Sequence, residues 1–363
     1  MKVFVTGTRG LPKIQGGVET HCEALYPRLI KRGVNITLSR RSAYVTDVNR
    51  MKAYRGIEIV DIFSPKQKSI EAIVHTLLAI LYAKLKGFKF IHIHAIGPSL
   101  VIPFARLLGL KVVMTHHGPD YDRQKWGKVA KISLRLGEWC AAKFANEIIV
   151  ISNTIKTNLK EKYNRCNVHL IPNGVQIQDK TTHINYIKEL GLEPQNYMIA
   201  VGRFVPEKGF HDLIDAYLQS NLPYKLVLVG DADHESDYSR TIKEKARQNG
   251  IVLTGFIKGE KLHQIYSHAG LFVMPSYHEG LPIALLEALS YNLKTVVSNI
   301  PPNLEVGLKN EHYFETGDTK HLAEKINQQI HSNIIPDYNS FLSEKYNWDI
   351  IAQQTLEVYK KLE

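Results

Sequence analysis

The sequence has few cysteines and no apolar run long enough to cross a membrane. Its 363 residues include only Cys22, Cys140 and Cys166, an odd number without C-x-x-C spacing, which argues against a disulfide framework and a cysteine zinc site. The longest apolar run, residues 72–83, is too short to span a bilayer. The opening MKVFVTGTRG is a short β-rich run rather than a leader with a cleavage site. These absences predict a cytoplasmic protein.

Positive charge is concentrated in the N-terminal half. Residues 1–170 hold 28 Lys and Arg against 11 Asp and Glu, whereas the remaining residues hold 18 against 24. Positive charge concentrated in this way is typical of a surface that binds nucleic acid or an anionic membrane. No RNA-binding signature accompanies the charge, so we expect no nucleic acid and favour a peripheral position on the inner face of the cytoplasmic membrane. Residues 66–90 have the apolar body and lysine flanks of an interfacial helix, and equally of a core helix with solvated ends.

Short apolar β-branched runs alternate with helical stretches along the whole chain. KVFVTGT, NITLS, IEIVDIF, FIHIHA, KVVMTHH and EIIVIS lie in the first half, and YMIAVGRF, YKLVLVGD, GIVLTGF, LFVMPS and KTVVSNI in the second. This pattern predicts parallel α/β sheets, built as two Rossmann-like domains. HLIPNGVQIQD interrupts the pattern, so we place the domains at 1–170 and 171–345. Ligands then bind at the carboxyl ends of the strands, in a cleft between the domains.

Two motifs follow strands in the first half. GTRGLPKIQGGVET places Gly16 and Gly17 before an amphipathic helix, where glycine allows close ligand approach and the helix N-terminus favours an anion. It is not G-x-G-x-x-G followed by a ribose-binding acid, which disfavours a nicotinamide oxidoreductase. VVMTHHGPD places His116 and His117 at a strand end, where a packed or surface role is as common as a functional one.

Two more motifs follow strands in the second half. VGRFVPEKG carries Arg203 and Lys208 on either side of a proline turn. The planar guanidinium of arginine and the compact ammonium of lysine together suit the binding of a diphosphate. A solvated surface pair is the alternative. LTGFIKGEKLHQIY carries Phe256, which is suited either to stacking on a nucleobase or to ordinary core packing.

The stretch MPSYHEGLPIALLEALS holds two glutamates, Glu279 and Glu287, eight positions apart. Pro282 is predicted at the first helical position, so Glu279 and Gly280 fall in the loop that feeds a helix N-terminus, where free N–H groups make an anion site. Two carboxylates at this spacing suit opposite ends of an elongated ligand with an anionic middle. The alternative is a surface pair in which Glu279 favours the helix dipole.

Taken in order, VGRFVPEKG, TGFIKGEKLHQIYSHAGLFVMPS and HEGLPIALLEAL resemble the C-terminal domain of family 4 glycosyltransferases with the GT-B fold, whose signature is two glutamates separated by seven residues. GTRGLPKIQGGVET and THHG also resemble this family, so the likeness covers nearly the whole chain. It implies that Glu279 contacts the donor sugar, that the N–H groups of Gly280 and Leu281 meet the diphosphate, and that Glu287 holds the ribose.

The resemblance assigns further roles. Arg203 and Lys208 match the pair that grips the diphosphate, Gly16 and Gly17 match the loop approaching it, and His117 matches the histidine near the donor sugar. His116 is the less favoured histidine, because the family places its histidine two residues after the threonine. Residues 346–363 resemble the terminal segment that crosses back over the N-terminal domain.

Two features depart from the family pattern or imitate another. Where members usually carry a glycine, this chain reads SYNLKTVV, so Asn292 or a neighbour is expected to take the helix-ending conformation. GDADH, with Asp231 and Asp233, imitates the metal-binding D-x-D of the other glycosyltransferase fold. Two aspartates alone make a poor site and the basic pair already supplies positive charge, so we expect no metal or other cofactor.

The prediction is a hexosyltransferase that moves a sugar from a nucleoside-diphosphate donor to a hydroxyl of a glycan or lipid-linked acceptor in bacterial envelope polysaccharide synthesis. The resemblance implies retention of configuration and favours a UDP-sugar. Two alternatives stay open, a nucleotide-sugar processing enzyme of the epimerase type and a non-catalytic nucleotide-sugar binding subunit.

Overall fold

Each of the eleven β-branched runs contains a strand, which confirms the predicted α/β class. The structure is a computed structural model that describes residues 1–14, 16–67, 70–122, 127–220, 222–232 and 235–363. The chain divides into two units, one formed by residues 1–174 and 346–363 and the other by residues 175–345. Both are Rossmann-like, with a parallel sheet and helices packed against it.

The first unit contains an eight-stranded sheet. Its strands follow the order β3-β4-β2-β1-β5-β6-β7-β8, and only the β3–β4 pair is antiparallel. Its elements in chain order are β1 (Lys2–Thr6), α1 (Gly17–Lys31), β2 (Asn35–Arg41), β3 (Ala53–Tyr54), β4 (Ile57–Ile62), α2 (Glu71–Leu85), β5 (Phe90–His94), α3 (Ile102–Leu107), β6 (Lys111–His116), α4 (Lys128–Phe144), β7 (Glu147–Val150), α5 (Asn153–Tyr163) and β8 (His169–Leu170).

The second unit contains a six-stranded, wholly parallel sheet in the order β11-β10-β9-β12-β13-β14. Its elements, and the helix that ends the chain, are α6 (Asn185–Glu189), β9 (Tyr197–Val201), α7 (Phe210–Ser220), β10 (Lys225–Val229), α8 (Asp237–Gln248), β11 (Val252–Gly255), α9 (Glu260–His268), β12 (Leu271–Met274), α10 (Ile283–Ser290), β13 (Thr295–Ser298), α11 (Pro301–Leu304), β14 (Tyr313–Phe314), α12 (Thr319–His331), α13 (Asn339–Lys345) and α14 (Trp348–Lys360).

The last helix, α14, belongs to the first unit and packs against α1. Trp348, Ile351 and Tyr359 are buried in the same apolar cluster as Leu25 and Leu38. Helix α14 therefore completes the core of the first unit on the α1 side of the sheet.

Within the stretch 66–90, helix α2 covers Glu71–Leu85 and buries Glu71, His75, Thr76, Ala79, Ile80 and Ala83. Lys68 and Ser69 lie outside the described residues. This helix is therefore partly a core element, and its exposed leucines occupy one face. No helix within the described ranges is long and apolar enough to cross a bilayer.

The expected helix end after α10 is confirmed. Asn292 adopts φ 51°, in the left-handed region that asparagine tolerates. Its side-chain Oδ1 accepts a hydrogen bond of 2.8 Å from the backbone N–H of Tyr338, which fixes the residue in place.

Candidate functional site

The motifs of the second unit lie at one edge of its sheet. Arg203 follows β9, Phe256 follows β11, and Glu279 follows β12. Because β9 pairs with both β10 and β12, and β10 with β11, the carboxyl ends of these strands form a continuous edge. Ligands of parallel sheets bind at this edge.

Lys208 and Glu279 form an ion pair at the sheet edge. Lys208 Nζ donates to Glu279 Oε1 at 2.5 Å, and Ser276 Oγ donates to the same oxygen at 2.7 Å. Lys208 ends a short 3-10 turn, Pro206–Lys208. Gly209 follows with φ 64°, and a Cβ there would lie 2.1 Å from the carbonyl oxygen of Pro275, so only glycine lets this turn approach the loop after β12.

The carboxylate of Glu279 is mostly buried yet charged. Burial alone would raise its pKa, but the Lys208 ammonium and the hydrogen bonds from Lys208 and Ser276 outweigh burial and lower the pKa below its ordinary 4.5. The site therefore holds a fixed negative charge beside a fixed positive one at neutral pH.

Helix α10 begins at Ile283, with Pro282 as its N-cap rather than as its first residue, which corrects the sequence prediction by one position. Gly280 and Leu281 precede the cap. Pro282 supplies its carbonyl to the N–H groups of Leu285 and Leu286. The predicted loop at the start of the helix is thus present.

Glu287 lies one helical turn from the end of α10 and has a different environment from Glu279. Tyr266 donates to its Oε2 at 3.1 Å. Burial raises the pKa of Glu287 to about 7, because the hydrogen bond from Tyr266 and the charge of Lys258 only partly offset the lost hydration. The two glutamates of the motif therefore have pKa values on opposite sides of the ordinary one.

Phe256 is 44% exposed, so the core-packing alternative for it is wrong. The ammonium of Lys258 lies 5.4 Å from the centre of its ring. Arg203 is half-buried. Asp231 accepts hydrogen bonds at 2.6 Å from Lys243 Nζ and at 2.7 Å from a neighbouring backbone N–H, while Asp233 lies outside the described residues.

In the first unit, the glycine loop leads directly into a helix. Gly16 is the N-cap of α1 and Gly17 its first residue, while Gln15 lies outside the described residues. The buried Glu19 reaches back, and its Oε1 accepts a hydrogen bond of 2.8 Å from the backbone N–H of Arg9. This contact pins the loop against α1.

The structure places His117 at the end of a buried chain of hydrogen bonds. Its Nε2 lies 2.8 Å from Nδ1 of His94, and Nε2 of His94 bonds the hydroxyl of Tyr26. That hydroxyl lies 3.3 Å from Nδ1 of His92, whose Nε2 lies 2.7 Å from Oγ1 of Thr115. The orientation of the His117 ring is thus set by side chains from α1, β5 and β6.

The imidazoles of His92, His94 and His117, which belong to this hydrogen-bonded chain, are neutral at pH 7. Burial, together with neighbouring imidazoles, lowers the pKa of His94 and His117 well below 6.5, and lowers that of His92 to about 3. His116 is in a separate buried contact, in which its Nδ1 accepts from the Gly118 N–H at 3.1 Å. Its Nε2 therefore carries the proton and donates to Glu138 at 2.8 Å.

His21, His94 and His117 offer ring nitrogens that lie within 4.8 Å of one another, the spacing of a candidate metal site. Nδ1 of His94 and Nε2 of His117, at 2.8 Å, are hydrogen-bonded. Two nitrogens on a tetrahedral zinc ion would stand about 3.3 Å apart, given Zn–N bonds of about 2.0–2.1 Å. His21 Nδ1 lies 2.9 Å from Oδ1 of Asn173, and its buried Nε2 has no hydrogen-bond partner among the described residues. His21 therefore contacts the rings of His94 and His117 but does not share their hydrogen bond.

Sequence reasoning missed the residues that support the predicted ones. One signal was available, since FIHIHA places His92 and His94 two apart on one strand, and therefore on one face of the sheet. Tyr26, Tyr266 and Ser276 gave no local signal, because their partners are 21 to 68 residues distant for the tyrosines and in a loop for the serine.

Comparison with known proteins identifies the family. Residues 15–179 match the model described as glycosyltransferase family 4, and residues 183–348 match the model described as glycosyl transferases group 1. The chain is a group 1/family 4-like GT-B glycosyltransferase. Glycosyltransferases named for bacterial O-antigen and teichuronic acid synthesis are among its relatives.

Three matches show the range of similarity. An uncharacterized glycosyltransferase of Methanocaldococcus jannaschii is 24% identical over 99% of this chain and 98% of its own. The UDP-Gal:alpha-D-GlcNAc-diphosphoundecaprenol alpha-1,3-galactosyltransferase of Escherichia coli is 32% identical over 61% of each chain. The Anabaena protein HepE, in a crystal structure with UDP and glucose, aligns with TM-score 0.79 and 18% identity over 99% of each chain. The glycosyltransferase described here thus has the GT-B fold.

Proposed function

We propose that this glycosyltransferase transfers a hexose from a UDP-sugar to a hydroxyl of a lipid-linked or growing envelope glycan, with retention of configuration and without a metal. The observation that carries the proposal is the half-buried Lys208–Glu279 ion pair, which lies at the sheet edge beside the start of α10. The E. coli relative uses UDP-Gal and a diphosphoundecaprenol-linked acceptor, and HepE holds UDP and glucose, which favours this donor and acceptor class.

The second unit carries the donor. Lys208 and Arg203 bind the diphosphate, Gly280 and Leu281 offer backbone N–H groups to it, and Glu279 accepts hydrogen bonds from the sugar hydroxyls. Without donor, Lys208 is neutralised by Glu279, so donor binding exchanges an internal ion pair for a charge-assisted contact with phosphate. Such an exchange avoids leaving a buried charge unpaired in either state.

The nucleoside is held by Glu287 and Phe256, both of which lie near Lys258. Glu287 accepts hydrogen bonds from the ribose, for which its carboxylate form is the better acceptor. The exposed ring of Phe256 offers a face to the base.

The leaving diphosphate performs the deprotonation. As the bond between the sugar C1 and the phosphate oxygen breaks, negative charge grows on the diphosphate, and Lys208 and Arg203 stabilise it. The incoming hydroxyl approaches on the same face and gives its proton to a phosphate oxygen, so the new bond keeps the original configuration. Neutral His117 donates or accepts a hydrogen bond near the donor sugar and adds no charge there.

The first test is ligand-dependent thermal stability, since a ligand that binds only the native state raises the melting temperature. We expect UDP and UDP-sugars to stabilise the protein equally with magnesium and with a chelator. Stabilisation that requires magnesium would contradict the metal-independent reaction, and stabilisation by nicotinamide dinucleotides alone would reopen the oxidoreductase hypothesis.

The second test separates catalysis from folding. Glu279→Gln keeps the shape of the side chain and an acceptor for Ser276, so we expect most turnover to be lost while the circular dichroism spectrum is retained. Asp215→Asn makes the same carboxylate-to-amide change in another lysine-paired acid, on α7, and is the matched control. Turnover equal to wild type in Glu279→Gln would refute the assignment.

A further inference from the structure

Helix α4 of the first unit exposes an apolar stripe. Val129, Ile132, Leu136 and Trp139 are spaced three, four and three residues apart, which aligns them on one face of the helix. They are 82%, 64%, 47% and 40% exposed. Side chains of this size are normally buried, and a contiguous exposed row of them marks an interaction surface.

The opposite face of α4 is fully committed to the first unit. Gly137, Cys140 and Ala141 are buried there, and a Cβ on Gly137 would lie 2.1 Å from the carbonyl oxygen of Ile96. Glu138 is buried too and accepts from His116. The helix therefore has no freedom to rotate its apolar stripe inward.

Cations border the stripe. Lys128 and Arg135 are exposed and Lys131 is half-buried, and all three lie on one flank of the row. Lys143 is exposed near the C-terminal end of the helix, while the one acidic residue of α4, Glu138, is on the buried side. A helix with an apolar row, a basic flank and a tryptophan is the type that lies in the headgroup region of an anionic bilayer.

Neighbouring helices extend the same surface. Helix α4 packs against α3 and the short turn Pro98–Val101, and α2 packs against that turn as well. Leu107 on α3 and Leu85 on α2 are both exposed at more than four-fifths of their surface. Two helices that pack with α4 or with the same turn therefore also carry an exposed leucine, and the half of the chain that contains them is basic.

We propose that the α4 surface, defined by Val129, Ile132, Leu136, Trp139 and their flanking cations, docks the first unit onto an anionic lipid bilayer. This inference deepens the proposed function and rests on it only for the acceptor, which a bilayer-bound enzyme would meet at the membrane surface. Charge complementarity identifies an anionic bilayer as the partner of the α4 surface, because the apolar row is bordered by positive side chains and the lipid headgroups are negative.

The experiment measures binding of the full-length protein to vesicles of phosphatidylcholine with and without phosphatidylglycerol. We expect binding to the anionic vesicles at low salt and its loss at high salt or on pure phosphatidylcholine. Ile132→Ser with Leu136→Ser should weaken binding by at least about tenfold, since both apolar contacts are removed. Lys131→Gln with Arg135→Gln should weaken it by about fivefold for each charge, in line with about 1 kcal/mol per cation.

A matched control is Leu304→Ser with Ile335→Ser, which removes two exposed apolar side chains of the second unit and should leave vesicle binding unchanged. Tryptophan emission should shift to the blue on vesicle binding in wild type, and this shift should be reduced in Trp139→Phe. Thermal stabilisation by UDP should be unaffected in the α4 variants, so that failure of docking is distinguished from failure of the proposed function.

Two results would overturn the inference. One is vesicle binding that stays at the wild-type level in Ile132→Ser with Leu136→Ser. The other is a wild-type dimer that the same substitutions convert to a monomer without any effect on lipid binding, which would show that a second copy of the chain covers this surface.

Discussion

Glu287 provides a quantitative test of the site, because its carboxylate is charged at pH 8 in a buried position. A rise in pKa from 4.5 in the unfolded chain to about 7 in the folded one means that the folded state binds the proton more tightly. The contribution of protonated Glu287 to the stability of the folded state is therefore fully present below pH 4.5 and is lost as the pH rises through 7. The cost of the buried charge is at most about 3 kcal/mol at pH 8 and about 1 kcal/mol at pH 5.

Glu287→Gln removes this charge and keeps an oxygen that can accept the hydrogen bond from Tyr266. The variant should therefore melt higher than wild type by up to about 6–12 °C at pH 8, and by only about 2–4 °C at pH 5, since 1 kcal/mol corresponds to about 2–4 °C in a unit of this size. Differential scanning fluorimetry of both proteins across this pH range, in the absence of donor, measures the difference.

Glu324→Gln makes the same chemical change at an exposed position of α12 and is the control. It should shift the melting temperature little at either pH. A difference in melting temperature between Glu287→Gln and wild type that is the same at pH 5 and pH 8 would refute this prediction. A pH-independent difference would mean that ionisation of the Glu287 carboxylate does not destabilise the folded state.

Three other predictions follow from side chains the structure places in hydrogen-bonded networks. Isothermal titration should show UDP affinity falling up to about tenfold from pH 8 to pH 6 in wild type, as Glu287 gains its proton, and staying flat in Glu287→Gln. His94→Ala should lower kcat by about 10- to 100-fold through loss of His117 positioning, with UDP affinity unchanged; an unaltered kcat would contradict it. Arg40→Met should lower the free energy of unfolding by about 1–3 kcal/mol in urea denaturation, because it leaves the buried carbonyl oxygens of Leu11 and Asn49 without their donor; an unchanged free energy of unfolding would contradict it.

The sequence predicts the strands well where they are long and apolar, and fails where they are short. None of the β-branched runs predicts the strands β3, β8 and β14, each of which has two residues. A two-residue strand has no periodicity to read, and it forms because a neighbouring strand already presents a row of N–H and C=O groups. Such strands are consequences of the sheet rather than of their own residues.

For the candidate site, too, local sequence patterns predict some features, whereas others depend on how the strands pair. Arg203, Lys208, Glu279 and Glu287 were found because each stands in a local pattern, at a strand end or at a helix start, whose physical role is readable. The Lys208–Glu279 contact was not found, since the two residues lie 71 positions apart and meet only when β9 and β12 pair. A pattern in the sequence therefore identifies which residues reach the sheet edge, and strand order decides which of them touch.

The α4 surface shows the opposite limitation. Residues 66–90 have the composition of an interfacial helix, but six of the 15 residues of α2 are buried. Composition alone cannot tell a core helix from a surface helix when both faces are apolar. Helix α4 is less apolar overall, yet its spacing of Val129, Ile132, Leu136 and Trp139 leaves one complete row outside. What distinguishes the two is which face the rest of the unit covers, and small residues such as Gly137 and Ala141 decide this by allowing only one side of α4 to approach the turn beneath it. The same small residues that seat the helix therefore fix which side of the unit faces the bilayer.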